Sequence, residues 1–123
     1  MKRKNRISNS NYLDYIPKQN DNYRYETDDT GMIIIHQKNQ GIFNKLAQIF
    51  LKKPKVSYIH LDEMGSFIWK HIDGNRSIYD IAEIVKEEFG DRAEPLYNRL
   101  VQYMKTMESY NFISVGEDSH FYK

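Results

Sequence analysis

Two amphipathic segments separated by a short, defined break constrain this chain more than any other part of it. Leu61-Asp62-Glu63-Met64-Gly65-Ser66-Phe67-Ile68-Trp69 runs on to Ile72, where Asp73-Gly74 interrupts it, and Ser77-Ile78-Tyr79-Asp80-Ile81-Ala82 then opens a second segment. Asp62 can accept from the free amides of a first helical turn, so the first segment reads as a capped helix with Met64, Phe67, Ile68 and Ile72 as its buried stripe. Asp-Gly is turn chemistry and ends that helix. Ser77 with Asp80 three residues on resembles a capping box with the shorter acid. Ile78, Ile81, Ala82, Val85 and Phe89 then recur at helical spacing until Gly90 supplies a C-terminal stop. Neither segment contains a nucleophile, a base and an orienting partner, so they build a platform and carry no catalytic set.

The flanking sequence supplies the other layer. A third helix begins between Asp91 and Pro95, with Leu96, Leu100, Tyr103 and Met107 as its stripe. Tyr97, Val101 and Met104 widen that stripe beyond one face, which suits a helix packed between layers or one that offers surface to a ligand. Asn111 ends it, and Phe112-Ile113-Ser114-Val115 reads as a short returning strand. Upstream, Tyr23-Arg24-Tyr25-Glu26-Thr27 alternates, Asp28-Asp29-Thr30-Gly31 is a turn and Met32-Ile33-Ile34-Ile35-His36 is strand-prone, which together make a hairpin. Phe43, Leu46, Ala47 and Phe50 fall on one face of a short inserted helix that Lys52-Lys53-Pro54 terminates. Val56-Ser57-Tyr58-Ile59-His60-Leu61 is then a third strand, with Ile59 and Leu61 on one face and Val56, Tyr58 and His60 on the other.

Composition narrows the function classes. A chain of 123 residues fits one domain, since domains commonly run to about 100–150 residues. Residues 1–20, rich in Lys, Asn, Ser and Gln, read as a mobile basic tail of which only Tyr12, Leu13, Tyr15 and Ile16 could dock, residues 21–116 as a single domain with 41–54 as its inserted helix and loop, and residues 117–123 as a polar tail. The net charge of +1 gives no field to steer nucleic acid. With no cysteine there is no disulfide, thiolate nucleophile or cysteine-held metal. His36, His60, His71 and His120 lack metal-ligand spacing, so no metal and no cofactor is expected. No apolar run approaches the roughly 20 residues of a membrane span, and the basic start lacks a signal-peptide apolar region, so a cytoplasmic location is expected. Trp69 reads as core.

The order strand, strand, inserted helix, strand, three helices resembles the PqqD family. The likeness rests on the strand into Leu61-Asp62, the aromatic-bearing first helix, Asp73-Gly74, the Ser-Ile-x-Asp-Ile-Ala start, Phe89-Gly90 and the close on Phe112-Ile113. The resemblance implies an α+β fold, winged helix-turn-helix-like, with a three-stranded antiparallel sheet followed by three helices. It also implies a non-catalytic RiPP recognition element, or peptide chaperone, similar to the protein of coenzyme PQQ synthesis. Such a domain recognises the leader of a ribosomally made precursor peptide by strand addition and presents it to a modifying enzyme, often a radical-SAM enzyme. By that resemblance the peptide-binding residues are Val56, Ser57, Tyr58, Ile59, His60 and Leu61 on the strand, with Leu96, Arg99, Leu100, Tyr103, Met104 and Met107 on the third helix. Longer residues 41–54 depart from the family pattern and could cover the binding edge.

Two further readings compete. A winged-helix DNA-binding regulator would use the helices joined at Gly90-Asp91, but Asp91 and Glu94 would face phosphate beside an acidic second helix. A general protein-interaction scaffold would use the same strand and helix for an unrelated segment. The third strand could also pair with its symmetry mate and give a homodimer.

Overall fold

The computed structural model describes residues 12–38 and 56–116. The fold is α+β, with a small antiparallel sheet and three helices. In chain order the elements are β1 (Lys18–Gln19), β2 (Arg24–Thr27), β3 (Ile33–Lys38), β4 (Val56–His60), α1 (Glu63–Lys70), α2 (Ile78–Phe89), a 3-10 turn (Gly90–Ala93), α3 (Leu96–Ser109) and β5 (Ile113–Ser114). The helix read within residues 41–54 and the tails read at residues 1–11 and 117–123 lie outside the described residues. Two compact units divide the chain, Asp21–Ser66 as one and the residues up to Asn20 with those from Phe67 onward as the other.

In the first unit β2, β3 and β4 form an antiparallel sheet in that order. The hairpin turn is organised by one carboxylate: Asp28 Oδ1 accepts from the Thr30 amide at 2.9 Å, the Thr30 hydroxyl at 2.8 Å and the Met32 amide at 2.9 Å. Gly31, at φ 90°, takes the left-handed position that completes the turn. Register sets Ile35 opposite Tyr25 and Ile59, and Ile33 opposite Thr27. Ile33 and Ile35 are buried, whereas Arg24, Glu26, Tyr58 and His60 on the opposite face are exposed.

The Ser66 hydroxyl closes the end of this sheet. It accepts from the Ile33 amide at 2.8 Å and donates to the Leu61 carbonyl at 3.3 Å, while the Leu61 amide donates directly to the Ile33 carbonyl at 2.9 Å. One rung of the β3–β4 ladder is thus relayed through a side chain on the helix that follows. Asp62 holds the start of α1, its Oδ1 accepting from the Gly65 amide at 2.8 Å.

The apolar stripe of α1 is turned from the sequence expectation. Gly65, Ser66, Ile68, Trp69 and Ile72 are buried, whereas Met64 and Phe67 are only half-buried. The inward turn is carried by Ser66, whose polar partners lie inside. A stripe counted on large apolar residues alone misses both small buried positions.

In the second unit, Ile78, Ile81, Ala82, Val85 and Phe89 form the buried side of α2, as their spacing predicts. Ser77 Oγ accepts from the Asp80 amide and Asp80 Oδ2 from the Ser77 amide, each at 3.0 Å, so the capping box is complete. The Asp73-Gly74 turn is fixed by Asp73 Oδ1, which accepts from the amides of Asn75 at 2.9 Å and Arg76 at 3.0 Å. Pro95 is the N-cap of α3 and lies just outside its first turn, and Asn111 ends that helix at φ 67°. Phe67 meets Phe89 edge-on, ring centroids 5.2 Å apart.

The segment before Asp21 departs most from expectation. Lys18–Gln19 pairs antiparallel with Ile113–Ser114. The buried Asn20 donates from its main chain to Phe112 O at 2.9 Å and from its side chain to Asn111 O at 2.8 Å, and Gln19 Nε2 donates to Trp69 O at 2.9 Å. The carbonyls of Tyr15 and Leu13 accept from the first two amides of α2, Ile78 and Tyr79, each at 2.9 Å. Residues 13–20 are therefore part of the fold, a correction to the reading of a tail through residue 20. Main-chain and amide bonds hold this stretch, and they leave no hydrophobic period in the sequence.

Two expected outcomes follow from these contacts. Ser66→Ala strands a buried amide and a carbonyl together, and urea titration should show a loss of about 1–3 kcal/mol. The Asp28 carboxyl is held below the usual carboxylate range, first by the Thr30 hydroxyl and then by the Met32 amide. A depressed folded value stabilises the turn above the unfolded value of about 3.9 and loses that contribution as pH falls through the folded value. Amide shifts of Thr30 and Met32 should therefore titrate with a midpoint below that of a free aspartate.

Candidate functional site

The two edges of the three-stranded sheet differ in chemistry. β2, Arg-Tyr-Glu-Thr, carries two formal charges, whereas β4, Val-Ser-Tyr-Ile-His, carries no Lys, Arg, Asp, Glu or Pro. Natural edge strands are usually guarded by charge, proline or a bulge, because unpaired main-chain groups template the addition of another strand. Among the described residues β4 has none of these guards.

Ladder parity fixes which groups of β4 face the edge. The Leu61 amide bonds to Ile33, so the pairs Ile59 with Ile35 and Ser57 with Gln37 exchange hydrogen bonds in the same phase. The amides and carbonyls of Val56, Tyr58 and His60 then point away from β3, toward the edge. Their side chains share the sheet face opposite Ile59. Tyr58 is 56 % exposed and His60 is also exposed, while Val56, Ser57, Ile59 and Leu61 are half-buried.

Tyr58 is the best-supported side chain of this face. The His36 ring on β3 stands edge-on to it, centroids 5.0 Å apart at 81°, and His36 Nε2 lies 3.4 Å from Glu26 Oε2 on β2. His36 Nε2 is shielded from solvent, and Glu26 is the acid beside it. The directly paired row across the three strands is Arg24, His36, Tyr58, and Glu26 reaches His36 diagonally from the neighbouring row. His60, one pair along, is near enough to Asp28 to add to the lowering of that carboxyl. The sequence reading missed Glu26 and His36, although hairpin parity about Asp28–Gly31 puts both on the Tyr58 face.

The helix residues of the expected site divide by burial. Leu96, Leu100, Met104 and Met107 are buried, with Leu100 at 2 % and Met104 at 0 % exposure. Tyr103 is half-buried and Arg99 is exposed, its Nη1 donating to Arg92 O at 2.9 Å. The Arg92 guanidinium lies over the Phe89 ring at 5.0 Å. Near the 3-10 turn, both arginines thus have intramolecular partners, and Glu94 Oε1 accepts from the Leu96 amide at 3.2 Å. No helix among the described residues is long and apolar enough to cross a membrane.

The described residues thus form an α+β fold, a small antiparallel sheet with one uncharged edge strand and three helices. Residues 31–113 match the family model of coenzyme PQQ synthesis protein D, PqqD, and the chain belongs to that family. Members of the family are non-catalytic accessory proteins that bind peptide and partner enzymes. No curated protein matches the chain, and no solved structure does.

Burial makes Leu100 a test of stability. Leu100→Asp should lower the unfolding free energy by more than about 3 kcal/mol, since it combines a lost core side chain with a buried charge. Arg99→Ala should leave the circular dichroism and the thermal midpoint close to wild type.

Proposed function

We propose that this chain is a non-catalytic recognition domain that takes up the leader of a ribosomally synthesised precursor peptide by strand addition at β4 and presents it to a modifying enzyme of the radical-SAM class. The observation that carries this reading is the unguarded edge of Val56–His60, with three residues' main-chain groups directed outward, in a member of the PqqD family. Strand addition draws affinity from main-chain hydrogen bonds and selectivity from alternate side chains, and β4 supplies both kinds of group. Of the helix residues, Leu96, Leu100, Met104 and Met107 are buried and support the fold of their own unit.

The start of α2, the first of the two helices that flank Gly90-Asp91, offers no phosphate site. The amides of Ile78 and Tyr79 are occupied by the carbonyls of Tyr15 and Leu13, and that of Asp80 by Ser77. The helix start that could receive a phosphate is therefore already satisfied.

Proline scanning of β4 tests the reading. Tyr58→Pro removes an outward donor and leaves the β3 ladder intact, so peptides selected on the wild-type chain from a randomised display library should bind at least about tenfold more weakly while the circular dichroism stays native. Ile59→Pro removes a ladder donor and should destabilise the sheet itself. Unchanged affinity in a folded Tyr58→Pro chain would rule out strand addition at this edge.

A further inference from the structure

Resting on that strand-addition reading, we infer that Tyr58 is a specificity-determining residue, selecting an aromatic or β-branched side chain at one position of the incoming strand. The chain of reasoning begins with parity. Val56, Tyr58 and His60 turn both their main-chain groups to the edge and their side chains to the exposed face. A strand that bonds to them puts every second side chain on that same face, directly beside theirs.

Tyr58 is the central position of the three, so a bound strand of even a few residues must place a side chain next to it. Cross-strand pairs on one face are the unit of sheet stabilisation, and aromatic rings pair best with aromatic and β-branched partners. On the β3 side the ring already has such a partner, His36, edge-on at 5.0 Å. On its other side lies the edge, and more than half of the tyrosine remains exposed. Glu26 Oε2 lies 3.4 Å from His36 Nε2, and the tyrosine ring has the His36 ring on one flank and the edge on the other.

The row Arg24, His36, Tyr58 continues outward only if an incoming residue fills the next place in it. Its neighbour row, Glu26, Ile34, His60, offers an imidazole at the edge, which lacks the apolar area of the tyrosine ring. Selection should therefore be strongest at the position beside Tyr58 and should alternate along the ligand.

The experiment is a randomised peptide display selection on the immobilised full chain, run in parallel on wild type, Tyr58→Thr and Tyr58→Phe. Thr keeps strand propensity and a native edge, and Phe keeps the ring. Wild-type and Phe selections should enrich aromatic and β-branched residues at one position by about two- to fivefold over its neighbours, and the Thr selection should lose that enrichment while still yielding binders. Binders with the same enrichment on Tyr58→Thr would overturn the role of Tyr58 and leave strand addition standing. An absence of binders on the wild-type chain, with a homodimer that Tyr58→Pro dissociates, would overturn both, since a second copy would then hold the edge.

Discussion

The rest of the first unit depends on a hydroxyl that stands in for a peptide group. Ser66 Oγ accepts from the Ile33 amide and donates to the Leu61 carbonyl, completing a rung that the backbone alone leaves half made. Where a strand turns into a helix, the chain has to leave the ladder, and the first groups to leave would be buried without partners. Here the helix returns a side chain to the place it vacated. The Leu61 amide still bonds to Ile33, so the ladder stays in phase to its end. That phase decides which residues of β4 present their main chain outward.

Phase and composition together make the two edges unequal. A shift of one residue would exchange Tyr58 and His60 for Ser57 and Ile59 and would put an isoleucine on the exposed face. The Ser66 relay, the Asp28 turn and the burial of Ile33 and Ile35 all oppose such a shift. β2 carries Arg24 and Glu26 on its exposed face. β4 carries neither charge nor proline, the two commonest guards of an edge strand.

Much of this was legible in the sequence, and the illegible parts share a cause. Alternation across Val56–Leu61, the Asp62 cap, the Asp73-Gly74 turn and the Ser77–Asp80 box depend on single residue types at fixed offsets, so their physics is local. The stripe of α1 was misplaced because Ser66 is buried for its hydroxyl and Gly65 for its size, and neither scores as apolar. Residues 13–20 were read as tail because Asn20 and Gln19 are buried or bonded through polar groups whose partners lie far along the chain. The stripe of α3 was correctly seen as wide, yet periodicity could not say that Leu96, Leu100, Met104 and Met107 spend it on the core. Tyr97 and Arg99 are exposed and Tyr103 is half-buried.

A strand that joins this sheet must surrender its own freedom, at a cost of about 1–2 kcal/mol for each backbone residue fixed. Affinity therefore depends on how little the receiving edge must also give up. β4 is ordered before any ligand arrives, held along one side by β3 and at its end by Leu61 and Ser66. Tyr58 likewise has the His36 ring edge-on beside it. A tyrosine has few rotors to freeze and a large face to offer, so a braced ring beside an open edge gives selectivity at small entropic cost. On the proposed reading, preorganisation of this kind would let the alternation of the sheet and one aromatic residue select among incoming strands.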